Sequence, residues 1–111
     1  MRFKKLSKEA KIMATKEKAF DLNQISPFKV VFPELSEAEF ETAMLFSLGL
    51  SKKEISWIRN VSYPAVRDIL QETKIKMDFY SLNNLISMFQ VRLVIFALQQ
   101  CVVVRSQETN Q

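Results

Sequence analysis

The 111-residue chain has no histidine, one glycine and one cysteine. Each scarcity narrows the field. Without histidine, the side chain that most often acts as general base or metal ligand near neutral pH is missing. One cysteine, Cys101, makes neither an intramolecular disulfide nor a zinc site, and it fits a reducing cytoplasm. It reads as a small buried apolar residue. One glycine leaves no glycine-rich phosphate loop and too few flexible corners for a turn-rich β fold. Glu37, Glu39 and Glu41 fit a helix-dipole interaction better than paired-carboxylate catalysis. No enzyme, metal, cofactor or small-molecule substrate is expected.

Long apolar runs are scarce too. The most apolar stretch without a charge is residues 93–104, LVIFALQQCVVV. A span takes ~20 residues, and two glutamines interrupt this one, so no membrane segment is expected. The first eighteen residues are basic but lack an apolar core and a small-residue cleavage site, so no signal peptide is expected.

What is present fits one globular domain: 48% of residues are apolar and 25% charged. The net charge of +4 is unevenly spread. Residues 1–33 hold eight basic and three acidic side chains, residues 34–80 six and eight, and residues 81–111 two and one. The basic excess therefore lies in an N-terminal arm, and any case for nucleic acid must rest on local placement.

Residues 7–20 suit a short amphipathic helix capped by Ser7, but a mobile basic leader is the favoured reading. Residues 21–33 carry proline at both ends of an apolar tetrad and read as an extended linker with one short strand-like piece. Signals sharpen at Leu35. Ser36 with Glu39 makes a capping box, and Leu35 with Phe40 a hydrophobic staple. Phe40, Ala43, Met44, Phe46 and Leu48 follow at mostly helical spacing until Gly49 ends the helix. The device repeats with Ser51, Glu54, Leu50 and Ile55. Ile55 and Ile58 face inward; Trp57 lies off that stripe. Ser62 caps a third helix with Pro64 in its first turn. There Val66, Ile69, Leu70, Thr73 and Met77 form a core stripe, and Arg67, Gln71 and Lys74 a polar ridge flanked by Asp68 and Glu72. Ser81 caps a fourth helix that is apolar almost all round, so it needs a second surface to bury against.

These residues resemble the LuxR/GerE/FixJ-type helix-turn-helix of bacterial regulators over residues 35–85. The resemblance rests on Leu35, Ser36, Glu39 and Glu41; on Gly49, Leu50, Ser51, Lys53, Glu54 and Ile55; and on the pairs Val61–Ser62 and Val66–Arg67. Leu70, Lys76 and Ser81 complete an ungapped register. Ala65, Ile69, Gln71 and Asp78 stand where the family usually has threonine, histidine, a basic residue and glycine. From Ser81 onward the chain more loosely resembles TraJ-type conjugation regulators.

The resemblance implies an all-α, four-helix module with a long apolar C-terminal helix and a basic N-terminal arm. The segments are then 1–33 arm and linker, 34–105 DNA-binding and dimerisation module, and 106–111 polar tail. The implied function is transcriptional regulation by sequence-specific binding of duplex DNA, as a dimer, in the bacterial cytoplasm at the nucleoid. Arg67, Asp68, Gln71 and Lys74 are the candidate base readers. Lys52, Lys53, Ser62, Tyr63 and Lys76 are the candidate phosphate contacts. Leu85, Met88, Phe89, Arg92 and Phe96 are the candidate dimer interface, with a second copy or another regulator as partner. The competing expectation is a degenerate helix-turn-helix that binds another regulator through its last helix and modulates it without reading DNA.

Overall fold

The computed structural model describes residues 22–109, with side chains to Val102. Residues 7–20, read as a basic leader or short helix, and most of the basic arm lie outside these residues. The described part is all helical: α1 (Leu22–Ile25), a 3-10 segment (Ser26–Val31), α2 (Glu37–Ser47), α3 (Lys52–Arg59), α4 (Tyr63–Lys76) and α5 (Leu82–Thr109).

Each helix from α2 onward begins as its sequence requires. Ser36 Oγ accepts from the Glu39 N–H, and Glu39 accepts from the Ser36 N–H at 2.7 Å. Ser51 and Glu54 repeat this, and Ser62 Oγ accepts from the Ala65 N–H. At α5 a reciprocal pair forms between Ser81 and Asn84. Each cap satisfies backbone donors that the first turn leaves without partners.

Three of the helices also end alike. Gly49, Asn60 and Asp78 have φ of 101°, 55° and 59°. In each case the next residue's N–H reaches back five positions: Leu50 to Leu45, Val61 to Ser56, Phe79 to Lys74. This is the Schellman closure, which needs one left-handed residue. Glycine takes that conformation freely, and asparagine and aspartate tolerate it better than most residues. Asp78 thus does the work of the glycine usual in the resembling family.

α2 is the central element, packed by every other described one. Phe40, Ala43, Met44 and Leu45 are buried on it. Two polar side chains are buried there with partners: Ser47 donates to the Met44 carbonyl, and Thr42 accepts from Arg59. The core closes on three aromatic rings. Phe32 stacks on Phe89 with centroids 3.9 Å apart and 13° between planes, and Phe40 lies 5.8 Å from Phe32. All three are essentially inaccessible to solvent.

Several expectations need correction. Residues 22–31 are helical, not an extended linker or strand, and Ile25 and Phe32 belong to the core. Pro27 suits this, because its fixed φ fits the first turn of the 3-10 segment. α5 continues to Thr109, past the expected boundary at residue 105. Cys101 is exposed, because the core ends before α5 does. The charge-free run at 93–104 belongs to a longer helix, and its stretch Leu82–Val102 is long and apolar enough to cross a membrane by length and composition. Burial of Leu85 and Phe89, with an ion-paired Arg92 at the middle of that stretch, marks its first half as a core helix.

The ring stack gives a direct expectation. Phe89→Ala should lower unfolding stability by about 3–5 kcal/mol, whereas Ser87→Ala, exposed on the same helix, should stay within about 0.5 kcal/mol. Denaturant titration followed by circular dichroism measures both.

Candidate nucleic-acid interface

α3 and α4 are joined by three residues, Asn60–Ser62. The left-handed Asn60 and the Ser62 cap together set the abrupt change of direction. The unit is locked from beneath by Arg59. Its Nε lies 3.2 Å from Glu41 Oε2, and Nη1 donates to Thr42 Oγ1 on α2. Arg59 sits in the last turn of α3, where the carbonyl ends favour a cation.

The inner side of α4 is as expected. Val66, Leu70 and Thr73 are buried, with Ile69 and Met77 half-buried. Thr73 Oγ1 donates to the Ile69 carbonyl at 2.7 Å, which lets a hydroxyl sit in the core. On the outer side Arg67 and Asp68 are exposed and Gln71 and Lys74 half-buried. Arg67, Gln71 and Lys74 follow one row at spacings of four and three. The most outward direction is held by Asp68, Glu72 and Ile75, the last 72% exposed. Arg67 and Asp68 approach to 3.6 Å, a loose surface pair of little energetic weight.

The expected phosphate contacts divide. Lys53, Ser62 and Tyr63 are exposed, and Lys52 is half-buried. Lys53 Nζ lies 5.6 Å from the Trp57 ring centroid, a cation–π distance. Trp57 and Tyr63 thus leave exposed aromatic surface beside the turn. Lys76 is engaged elsewhere, 2.8 Å from Glu39 Oε1. Burial alone would push the Glu39 carboxyl up. Hydrogen bonds from Lys76 and from the Ser36 N–H and hydroxyl outweigh it and hold the carboxyl below its usual range.

The expected dimer residues face the chain itself. Leu85 and Phe89 are fully buried in its own core, because their four-residue spacing aims both at α2 and Phe32. Met88 packs on that core, and Phe96 meets Phe28 edge-on at 6.2 Å. Arg92 holds Glu34 through two parallel hydrogen bonds of 2.8 and 2.7 Å, donates to the Val31 carbonyl and lies over the Phe32 ring. The exposed apolar residues of α5 are others: Val91, Val94, Ile95, Leu98 and Val102. They recur at helical spacing on the side away from Leu85 and Phe89, a signal already present in the sequence.

Comparison with family models, curated proteins and solved structures finds no match to this chain.

The Glu34–Arg92 clasp ties the N-terminal segment to α5 and predicts a pH effect. The Arg92 guanidinium, with the residue's own backbone N–H, lowers the Glu34 carboxyl from 4.5 to about 2. A folded value below the ordinary one means that the contribution is complete above about pH 4.5 and is lost as pH falls toward about 2. Glu34 is 39% exposed, so water screens the pair and the effect is modest. Acid titration of unfolding should show a shallower stability loss in that window for Glu34→Gln than for wild type.

Proposed function

We propose that the protein is a transcriptional regulator that binds duplex DNA in a sequence-specific manner through α3 and α4, as a dimer on two half-sites. The geometry of a LuxR/GerE-type helix-turn-helix is the nearest description of this reading. One observation carries most of the support: α4 is capped by Ser62 and leaves Arg67 and its neighbours exposed along the outer side. A major groove admits such a helix, and long hydrogen-bonding side chains are what reach base edges.

In this reading Arg67 addresses guanine N7 and O6, Gln71 addresses adenine, and Asp68 accepts from cytosine N4. Lys74 continues the ridge as the fourth base reader. Lys52, Lys53, Ser62 and Tyr63 fix the backbone register. Lys76 joins them only by exchanging Glu39 for phosphate. The work is done in the bacterial cytoplasm, at the nucleoid.

A second reading has its own support. Asp68 and Glu72 stand exposed on the side that would approach DNA, where acids repel phosphate. A protein of this form would bind another regulator through α5 and modulate it without reading DNA.

Binding to a pool of duplexes, followed across a salt series, separates the two. The DNA reading expects affinity that falls steeply with salt. It also expects Arg67→Ala to weaken the selected sequence by about 1–3 kcal/mol while leaving thermal stability unchanged. Fluorescence of Trp57, the only tryptophan, should report the contact. Undetectable binding at low salt overturns the reading.

A further inference from the structure

α5 carries two apolar faces on opposite sides. One, through Leu85, Phe89 and Leu93, closes the chain's own core. The other lies roughly half a turn round the helix axis and comprises Val91, Val94, Ile95, Leu98 and Val102. These five are 49–62% exposed. N-terminal to them the same side carries polar Asn84 and Ser87, so the apolar stripe begins at Val91 and follows the helix outward.

The stripe has a heptad register. Val91 and Leu98 fall at d, and Ile95 and Val102 at a, with spacings of four, three and four. Ile95 and Val102 at a with Leu98 at d follow the pattern that favours two parallel strands, with Val91 the one d position that departs from it. Charge points to a like partner. Residues 93–104 contain no charged side chain, so an oppositely charged surface finds nothing to pair with there. Arg92, beside the seam at e, is already neutralised by Glu34 of its own chain. Between Val91 and Val102 two copies therefore meet without like-charge repulsion, and the seam ends there, because the next d position is Arg105. The stripe offers at most on the order of 500 Å² per copy, roughly 1,000 Å² for a pair, the size of a small, weak interface.

We propose that the second half of α5 is a parallel, in-register, two-stranded coiled-coil seam between two copies of this chain, built on Val91, Ile95, Leu98 and Val102. The two-fold axis then runs along the coil and brings both α4 helices to one end. The DNA taken by such a dimer is an inverted repeat. That consequence rests on the DNA reading above; the pairing itself does not.

The test uses no DNA, so the two proposals fail separately. In a Cys101→Ser background, Leu98→Cys should cross-link with itself on mild oxidation, because d positions face each other in a parallel pair. Cross-linking only when Ile95→Cys and Leu98→Cys proteins are mixed means an antiparallel pair and overturns the proposal. Sedimentation equilibrium should give a dimer for the wild type and a monomer for Ile95→Glu, with helical circular dichroism retained. Leu98→Lys serves as a second variant for the same readout. A wild-type monomer across the micromolar range overturns the seam, as does a dimer that survives both substitutions. Partition of wild-type monomer into phosphatidylcholine vesicles also overturns it, since the stripe would then be a lipid-facing surface.

Discussion

The stack of Phe32 on Phe89 is the contact on which the rest of the structure depends. Phe32 comes from the segment before α2, and Phe89 from the first half of α5. Phe40 of α2 lies against both rings, so one aromatic cluster joins the segment before α2 and α2 itself to the sequence-distant α5. Arg92 covers the outer side of Phe32 and turns its charge to Glu34. A buried ring stack gains from area and from ring geometry together. The guanidinium adds a polar lid that excludes water without leaving a buried charge unpaired. With α5 pinned there, α2 is held against α3 and α4, and the outer side of α4 is left open.

Local signals carried the sequence reading well, and long-range ones did not. Caps at Ser36, Ser51, Ser62 and Ser81 were legible because each is a contact between residues three apart. The core stripe of α4 was legible for the same reason, since its period is a property of one helix. Phe32 was not legible as core. It sits between Val31 and Pro33 in a segment whose prolines suggest extension, and its partner is 57 residues away. The Arg92–Glu34 pair spans a similar gap. Without that contact in view, Leu85 and Phe89 looked available for a second chain. Asn60 and Asp78 show another limit: the left-handed closure was anticipated only where glycine announced it.

The candidate site shows a tension between its charges. Of the basic side chains expected at DNA, Lys76 is held by Glu39, Arg67 has Asp68 beside it, and Lys53 lies near Trp57. The Arg67 and Lys53 contacts are shallow ones. Asp68 is exposed, so Arg67 exchanges it for a phosphate at little electrostatic cost, whereas Glu39 has a side chain only 12% exposed and keeps Lys76 more firmly. Asp68 and Glu72 are different, since nothing about DNA removes their repulsion unless a base donor meets Asp68. A reader built this way gains selectivity at the expense of non-specific affinity, because acids near the groove penalise every phosphate but reward one base.

α5 resolves the puzzle of a helix that is apolar nearly all round. One stripe, at Leu85, Phe89 and Leu93, is consumed by the chain's own fold. The second runs from Val91 to Val102 and cannot reach that core, because it lies on the opposite side and continues beyond Phe96. A single helix with two opposed apolar faces stays soluble only if both are covered. The exposed polar residues Asn84 and Ser87 occupy the same side nearer the start of the helix, so the second stripe begins only at Val91. The core face and the uncovered apolar face thus share one continuous helix, so a shift of that helix in the core would move the outer stripe with it.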